Sequence, residues 1–436
     1  LQGNYIFHTT QLFHRYQRDS IILESSMENS VSLLLIGGLI CSALVAKWGL
    51  EKIGVPALIG YLLMGVCLRW ADSAYGFLGQ ATQLHLDIFA NVGVVVLLFQ
   101  VGMESNLAGL ISQFRRAWPL WVGNVLVSGG LGYLAAFYIL RLQLIPSLYV
   151  AVAMTATSVA MSVVVWREMN VLDTENGELL LDVAELDDIS AIFLMSLLFA
   201  VVPVLQNQTQ GLISAVFHTI GVLLAKLLLF GGVCFAFSHY VEHRLTLFAE
   251  RFRPYPDSML MLAAMGFVIA ALAGLLGFSV AIGAFFAGLI FSRDPEAIKV
   301  DRPFIVLYEL FTPFFFIGIG LAIDPLAITG AILPGIVLLV VAIAGKLLGT
   351  LAPAVRSIGW SGGVLVGLSM IPRAEITMIV MRHDQQGGES VVPEQTFAAM
   401  VLVSAVTCVI SPLLLRPLLH RWKQDQSKAT SDKYSS

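Results

Sequence analysis

Residues 180–192 read LLDVAELDDISAI, an apolar stretch that holds four carboxylates: Asp182, Glu185, Asp187 and Asp188. The residues that follow, FLMSLLFAVV, carry no charge. A continuous run of this length can cross a hydrocarbon core of ~30 Å as one helix. A charged side chain in the middle of such a helix costs at least ~2.5 kcal/mol, so the adjacent aspartates indicate a functional position inside a membrane.

The composition of the whole chain is that of a membrane protein. Hydrophobic residues make up 57% of the 436 residues and charged residues only 12%, whereas soluble domains carry roughly 25% charged residues. The four cysteines are scattered, which predicts neither a disulfide framework nor a CxxC metal site. A net charge of −4 gives no basic excess that would indicate a nucleic-acid partner. We therefore expect an all-α, multi-pass protein that contacts lipid and binds no nucleic acid.

Hydropathy predicts thirteen membrane-spanning helices. The expected spans are 31–48, 55–70, 88–103, 117–140, 146–165, 177–203, 212–238, 258–277, 278–292, 303–323, 327–353, 360–382 and 396–419. Lys and Arg accumulate in cytoplasmic loops, and with the N-terminus outside, seventeen of them fall in inner segments and five in outer segments. The sequence therefore predicts an N-out, C-in orientation.

The chain divides into three regions by this pattern. Residues 1–26 are polar and are expected to form an N-terminal extension, either native or added to the protein. Residues 27–420 are expected to form the transmembrane domain, and residues 421–436 a short cytoplasmic tail. The expected location is a prokaryotic plasma membrane or an internal energised membrane.

Two pairs of motifs repeat along the chain. IGYLLMGV (59–66) matches IGAFFAGL (282–289) in its glycine spacing, and LLFQVGMESNLAGL (97–110) matches FFFIGIGLAIDPLAI (314–328). Each match lies seven spans apart, and an odd number of spans reverses the direction of insertion. The sequence therefore predicts two inverted-topology repeats, an arrangement typical of secondary transporters.

The aspartate pair is expected near the middle of the bilayer, because a helix that begins near Gly177 rises about 15 Å before it reaches Asp187. Lys226, Lys346 and Arg373 are the cations inside predicted spans. Lys346 is the best-placed partner for one aspartate. The second aspartate would then be left to take a cation or a proton.

The other two acids of the opening stretch lie closer to the cytoplasmic side. Asp182 is expected at the interface. Glu185 is either a cavity-lining residue on an ion path or a structural hydrogen-bonding partner. Lys226 is expected to have a structural or interfacial role.

Two spans, again seven apart, carry signals that interrupt a helix. The span 146–165 contains Thr155, Thr157 and Ser158, whose hydroxyl and carbonyl oxygens surround an interruptible turn. The span 360–382 contains a proline, which removes a backbone donor and breaks the helix. We expect the two broken helices to cross, with one contributed by each repeat.

Arg373 and Glu375 directly follow this proline. They could balance the charges at the broken helix ends, pair with each other or line the pathway; the first, structural, role is favoured. Carboxylates, hydroxyls and carbonyls are hard oxygen ligands that suit a small hard cation such as Na⁺, for which Asp188 is the main candidate. No nucleophile–base pair or cofactor motif argues for an enzyme, and no cofactor is expected.

At these residues the sequence resembles the cation:proton antiporter-2 family, and most closely its NapA-like sodium/proton antiporters. The motifs that carry the resemblance are GVVVLLFQVGMES (93–105), TATSVAMSVVV (155–165), ELDDISAI (185–192), AIGAFFAGLIFS (281–292), AGKLLG (344–349) and MIPRAEI (370–376). The resemblance covers residues 30–420 and implies an NhaA-like fold, a homodimer and exchange of Na⁺ or Li⁺ for H⁺ in sodium and pH homeostasis.

The resemblance also implies roles for individual residues. Asp188 would be the main ion-binding carboxylate, and Asp187 would pair with Lys346 and release it when the ion arrives. Thr155 and Thr157 would contribute oxygens, with Ser158 as an accessory group. Arg373 and Glu375 match the family's charged pair in the second broken helix.

A double aspartate with a lysine is also the pattern of electrogenic members. Glu185 departs from the family pattern, in which an apolar residue is common at this position.

Alternatives remain open from the sequence. The same site could serve K⁺/H⁺ exchange, the architecture could serve a sodium-coupled symporter of an organic anion, and the buried charges could gate a channel or a sensor.

Overall fold

A computed structural model of the chain describes residues 30–104, 107–207, 211–237, 257–292, 295–386 and 390–435, and these residues form helices and no strand. The expected N-terminal extension, residues 1–26, lies outside the described residues. The expected limits of the transmembrane domain and of the cytoplasmic tail stay predictions.

Fourteen helices follow one another in the described parts of the chain. They are α1 (Ser30–Lys52), α2 (Ala57–Tyr75), α3 (Gln80–Glu104), α4 (Leu107–Leu134, continued by a π-helical turn, Ala135–Ile139), α5 (Leu144–Thr155), α6 (Ala160–Glu168), α7 (Glu175–Asn207), α8 (Leu212–Phe237), α9 (Asp257–Leu275), α10 (Val280–Phe291), α11 (Pro295–Leu321), α12 (Ala327–Ser369), α13 (Glu375–Gln386) and α14 (Glu394–Ser435). The all-α prediction is confirmed.

The lengths and composition of these helices are those of a multi-pass integral membrane protein. Within the described ranges, nine helices are long and apolar enough to cross a membrane: α1–α4, α7, α8, α11, α12 and α14. Each expected span falls on a helix or on a broken pair of helices, and Gly359, with φ of 73°, interrupts α12 between two of the spans. The count of thirteen crossings and the N-out, C-in orientation stay predictions.

The chain divides into two compact units. The first contains the described part of Leu1–Gly93 together with Glu309–Leu321, and the second contains the described parts of Val94–Tyr308 and Ala322–Ser436. Each unit contains a very close helix crossing at a pair of glycines from the repeated motifs.

In the first unit, α2 crosses the end of α11. A Cβ atom on Gly65 would lie 2.1 Å from the carbonyl oxygen of Ile317, and one on Gly320 would lie 2.3 Å from that of Leu62. These distances are far inside van der Waals contact, so only glycine allows the two backbones to approach this closely.

The second unit repeats this crossing between α3 and α10. A Cβ atom on Gly102 would lie 2.2 Å from the carbonyl oxygen of Phe285, and one on Gly288 would lie 2.2 Å from that of Phe99. The glycines are those of the repeated motifs. In each crossing, the helix with the first motif of one repeat packs against the helix with the second motif of the other repeat.

Candidate ion-binding site

Two interrupted helices cross in the second unit. The first interruption separates α5, which ends at Thr155, from α6, which begins at Ala160. The second separates α12, which ends at Ser369, from α13, which begins at Glu375. The predicted pair of broken helices is therefore present.

Hydrogen bonds join the two interruptions directly. The backbone N–H of Ser158 donates to the carbonyl oxygen of Pro372 over 2.8 Å, and the hydroxyl of Thr377 donates to the carbonyl oxygen of Ala153 over 2.9 Å. Buried backbone groups left unpaired in a membrane are costly, so each interruption supplies partners that the other lacks.

Two buried cations lie at the carboxyl end of α5. The Lys346 ammonium donates to the carbonyl oxygen of Thr155 over 2.5 Å. The Arg373 guanidinium donates to the carbonyl oxygen of Met154 and, over 3.0 Å, to that of Ala156. The final carbonyls of a helix have no intrahelical donor and carry a partial negative charge. Arg373 therefore balances a helix end, which favours the first of the roles considered for it.

Hydroxyl groups bind the carbonyl end of the second broken helix. Ser411 donates to the carbonyl oxygen of Leu368 and Ser162 to that of Ser369, each over 2.8 Å. Cations at one break and neutral hydroxyls at the other make the two halves of the crossing electrostatically unequal.

Glu375 lies in the first turn of α13, where the exposed amides favour negative charge. It is half-buried, and its carboxylate interacts with the hydroxyl of Ser158. The base and the acid of the MIPRAEI motif thus lie at two different helix ends: Arg373 at the end of α5 and Glu375 at the start of α13.

Asp187 is completely buried and accepts three side-chain hydrogen bonds. Its Oδ2 accepts from the hydroxyl of Thr157 and, over 3.2 Å, from the completely buried ammonium of Lys346. Its Oδ1 accepts from the amide of Asn124 over 2.7 Å. An ionised carboxylate in this setting is well compensated, because a cation and two neutral donors share its charge.

Asp188 has a different environment from its neighbour. It is half-buried, and within the described ranges no side chain or backbone group forms a hydrogen bond or ion pair with its carboxylate. Its electrostatic neighbours, apart from Asp187 and Lys346, are Glu375 and Glu185. The structure therefore places one saturated and one unpartnered carboxylate side by side.

The remaining predicted residues lie as follows. Glu185 is half-buried one turn before Asp188 on α7. Asp182 is half-buried nearer the start of the same helix, and its electrostatic neighbours are Glu178 and Arg116.

The Thr155 hydroxyl donates to the carbonyl oxygen of Val152 in its own helix, so Thr155 offers the site its carbonyl oxygen. Lys226 lies away from these residues and donates to the carbonyl oxygen of Leu276, which is a structural contact.

Two site residues on α4 were not predicted from the sequence. Asn124 binds Asp187, and the hydroxyl of Ser128 donates to the carbonyl oxygen of Met154 and accepts from Arg373. The sequence feature that could have identified them is the pair of polar residues four positions apart in VGNVLVSGG (122–130), a spacing that places both side chains on one helix face.

Glycines bring this face of α4 against the helix that carries Lys346. A Cβ atom on Gly123 would lie 2.4 Å from the carbonyl oxygen of Gly349, and one on Gly349 would lie 2.6 Å from that of Gly123. The AGKLLG motif therefore combines a buried cation with the small residue that lets α4 reach the site.

Paired carboxylates and a buried lysine at two crossed, interrupted helices define the class of protein. Such sites belong to secondary active transporters, in which ions bind near the middle of the membrane at discontinuous helices.

The chain belongs to the sodium/hydrogen exchanger family, whose transmembrane model matches residues 40–421. It is 29% identical over 387 residues to a Na⁺/H⁺ antiporter of Enterococcus hirae, covering 87% of this chain and 97% of that protein. It is 24% identical over 402 residues to the high-affinity Na⁺/H⁺ antiporter NhaS3 of Synechocystis sp., covering 90% and 85% of the two chains.

The fold is similar to that of the solved sodium proton antiporter MjNhaP1 from Methanocaldococcus jannaschii. The TM-score is 0.65 at 14% sequence identity, over 90% of this chain and 98% of that chain. At this identity the likeness concerns the fold alone, and it agrees with the predicted antiporter architecture.

Proposed function

We propose that this protein is a secondary active antiporter that exchanges Na⁺, or Li⁺, for H⁺ by alternating access. The observation that carries the proposal is the unequal pair on α7, in which Asp187 is bound by Lys346 and Asp188 has no partner in the described structure. The family and the names of the two bacterial relatives support the same activity.

Antiport follows from competition for one carboxylate. Asp188 binds either a proton or the cation, and the two occupancies exclude each other. The acidic neighbours Glu185 and Glu375 make the surroundings favourable to a cation. A hard monovalent ion also requires several oxygen ligands, and we assign these to the carboxylate of Asp187 and the oxygens of Thr155 and Thr157.

The ratio of protons to cations exchanged follows from the displacement of Lys346. When the cation engages Asp187, it displaces the ammonium, whose proton then leaves in addition to the proton of Asp188. Two protons are exchanged for one cation, and one net charge crosses the membrane per cycle. We therefore propose electrogenic exchange by a homodimer that serves sodium and pH homeostasis.

Transport by purified protein in proteoliposomes tests this function. Addition of Na⁺ or Li⁺ should collapse an imposed proton gradient, and Asp188→Asn should abolish the response because an amide cannot alternate between a proton and a cation. Asp182→Asn is the matched control, since it removes an acid from the same helix at a distance from Lys346, and it should retain exchange.

Each other outcome has a distinct meaning. Persistent exchange in the Asp188→Asn variant would contradict the proposal. A response to K⁺ in place of Na⁺ would assign the same site to K⁺/H⁺ exchange, and sodium-driven uptake of an organic anion without proton movement would assign the symporter alternative.

A further inference from the structure

In the described structure, Asn124 is the one neutral side chain outside the broken helices that donates to a carboxylate of the aspartate pair. It is completely buried, and its Nδ2 donates to Asp187 Oδ1 over 2.7 Å. The other carboxylate oxygen, Oδ2, receives Lys346 and Thr157. Asn124 is therefore the sole donor to one side of the carboxylate among the residues described.

The other end of the same amide has no partner. Asn124 Oδ1 is buried and accepts no hydrogen bond from any described group, which costs free energy. A side chain retained only for stability would be expected to satisfy both ends of its amide. The orientation is explained by the charge of Asp187, because the opposite orientation would place the amide oxygen against an ionised carboxylate.

The position of Asn124 is fixed on both sides. The preceding residue, Gly123, forms the close crossing with Gly349. One turn earlier, Trp121 Nε1 donates to the hydroxyl of Ser190 over 3.0 Å, and this hydroxyl donates to the carbonyl oxygen of Asp187 over 2.9 Å. The amide is thus held by backbone packing and does not depend on Lys346 for its place.

We propose that Asn124 is a positioning residue for ion exchange, which keeps the carboxylate of Asp187 oriented after Lys346 has left it. The inference rests on the proposed function, in which the cation displaces Lys346. Without Asn124, Asp187 would then keep only the hydroxyl of Thr157 as a donor. With Asn124, both carboxylate oxygens remain bound, and Asp187 stays available as an anionic ligand for the cation.

The expected effect is on the apparent KM for the cation. The charged groups around Asp187 are Lys346 from α12, Arg373 from the connection before α13, and Asp188 on its own helix; Glu185 and Glu375 lie around Asp188. All of these remain in a variant of Asn124. Loss of the amide donor therefore leaves the charges of the site in place but removes the preorganisation of the Asp187 carboxylate, which weakens cation binding.

Three variants and one control test the proposal in proteoliposomes across Na⁺ concentrations. Asn124→Ala removes the amide, Asn124→Ser keeps a shorter donor, and Asn124→Asp places a second acid against Asp187. Thr350→Val is the matched control, because this buried hydroxyl on α12 has no partner among the described groups. Its apparent KM for Na⁺ should equal that of the wild type.

Asn124→Ala should raise the apparent KM for Na⁺ about tenfold at neutral pH, because a hydrogen bond to a charged group is lost. The kcat at saturating Na⁺ should be retained. The KM of Asn124→Ser should lie between those of the alanine variant and the wild type, and Asn124→Asp should show the largest rise in KM.

The stabilisation of detergent-solubilised protein by Na⁺, followed as Tm against Na⁺ concentration, provides a second readout that does not depend on transport. Both assays should report the same rise in the Na⁺ concentration that is required. If Asn124→Ala does not fold, Asn124→Ser carries the test alone.

An unchanged KM for Na⁺ with a lower kcat would overturn the proposal in favour of a purely structural role. Wild-type protein without exchange would instead contradict the proposed function, while the Tm comparison would still report whether Asn124 affects ion binding.

Discussion

Replacing Lys346 by Gln tests the central ion pair. Both partners are completely buried, with Nζ 3.2 Å from Asp187 Oδ2, and the same ammonium binds the carbonyl oxygen of Thr155 over 2.5 Å. Removing one partner of a buried pair leaves an uncompensated charge and costs about 3–5 kcal/mol. For a chain of this size, we expect a fall in Tm on the order of 5 °C.

The double-mutant cycle with Asp187→Asn separates the ion pair from other effects of substitution. Asp187→Asn/Lys346→Gln removes both charges, so it should recover most of the stability lost in Lys346→Gln. The assay is thermal unfolding of the detergent-solubilised protein.

The same variant tests the stoichiometry by current measurement on a solid-supported membrane. If Lys346 carries the second proton, Lys346→Gln should still exchange Na⁺ for H⁺ but with little net charge movement. A Lys346→Gln protein as stable as the wild type at alkaline pH, or one with an undiminished transport current, would refute the reasoning.

Two further predictions concern the framework of the site. Arg373→Gln removes the guanidinium that binds the carbonyls at the end of α5. It should lower the free energy of unfolding by about 2–4 kcal/mol, which is followed as a fall in Tm. Arg373→Lys should recover part of this loss, because it restores the charge without the planar guanidinium. Gly65→Val should prevent accumulation of monodisperse protein on size-exclusion chromatography, because its Cβ would lie 2.1 Å from a backbone oxygen. Gly38→Ala is the control for this change, since no atom lies within 4 Å of a Cβ at that position, and equal yields of the two variants would contradict the argument.

The sequence predicted the features that depend on local chemistry and membrane depth. Pro372 and the Thr155–Ser158 turn interrupt their helices for local backbone reasons. The aspartate pair and Lys346 could be matched because a membrane leaves few other ways to compensate a charge. The glycine motifs predicted the repeats because close backbone approach requires glycine wherever it occurs.

The contribution of α4 could not be predicted in the same way. Asn124 and Ser128 are neutral, and a neutral polar residue in a membrane helix can bind many different neighbours. Their partners depend on the crossing at Gly123 and Gly349, which joins helices more than two hundred residues apart. The partners of Arg373 could not be predicted either. Apart from the hydroxyl of Ser128, they are backbone carbonyls, which every residue possesses.

The two cations at the end of α5 explain how the site can release one of them. Lys346 binds both that helix end and Asp187, whereas Arg373 binds only carbonyls and the hydroxyl of Ser128 in the described structure. In the proposed cycle, a cation displaces Lys346 from Asp187, and Arg373 still compensates the partial negative charge of the helix end. The lysine can therefore move or lose its proton without exposing the broken helix, and the energetic consequence of ion binding is confined to the carboxylates. A site in which a single cation served both the helix end and the aspartate would have to disrupt its framework in every transport cycle.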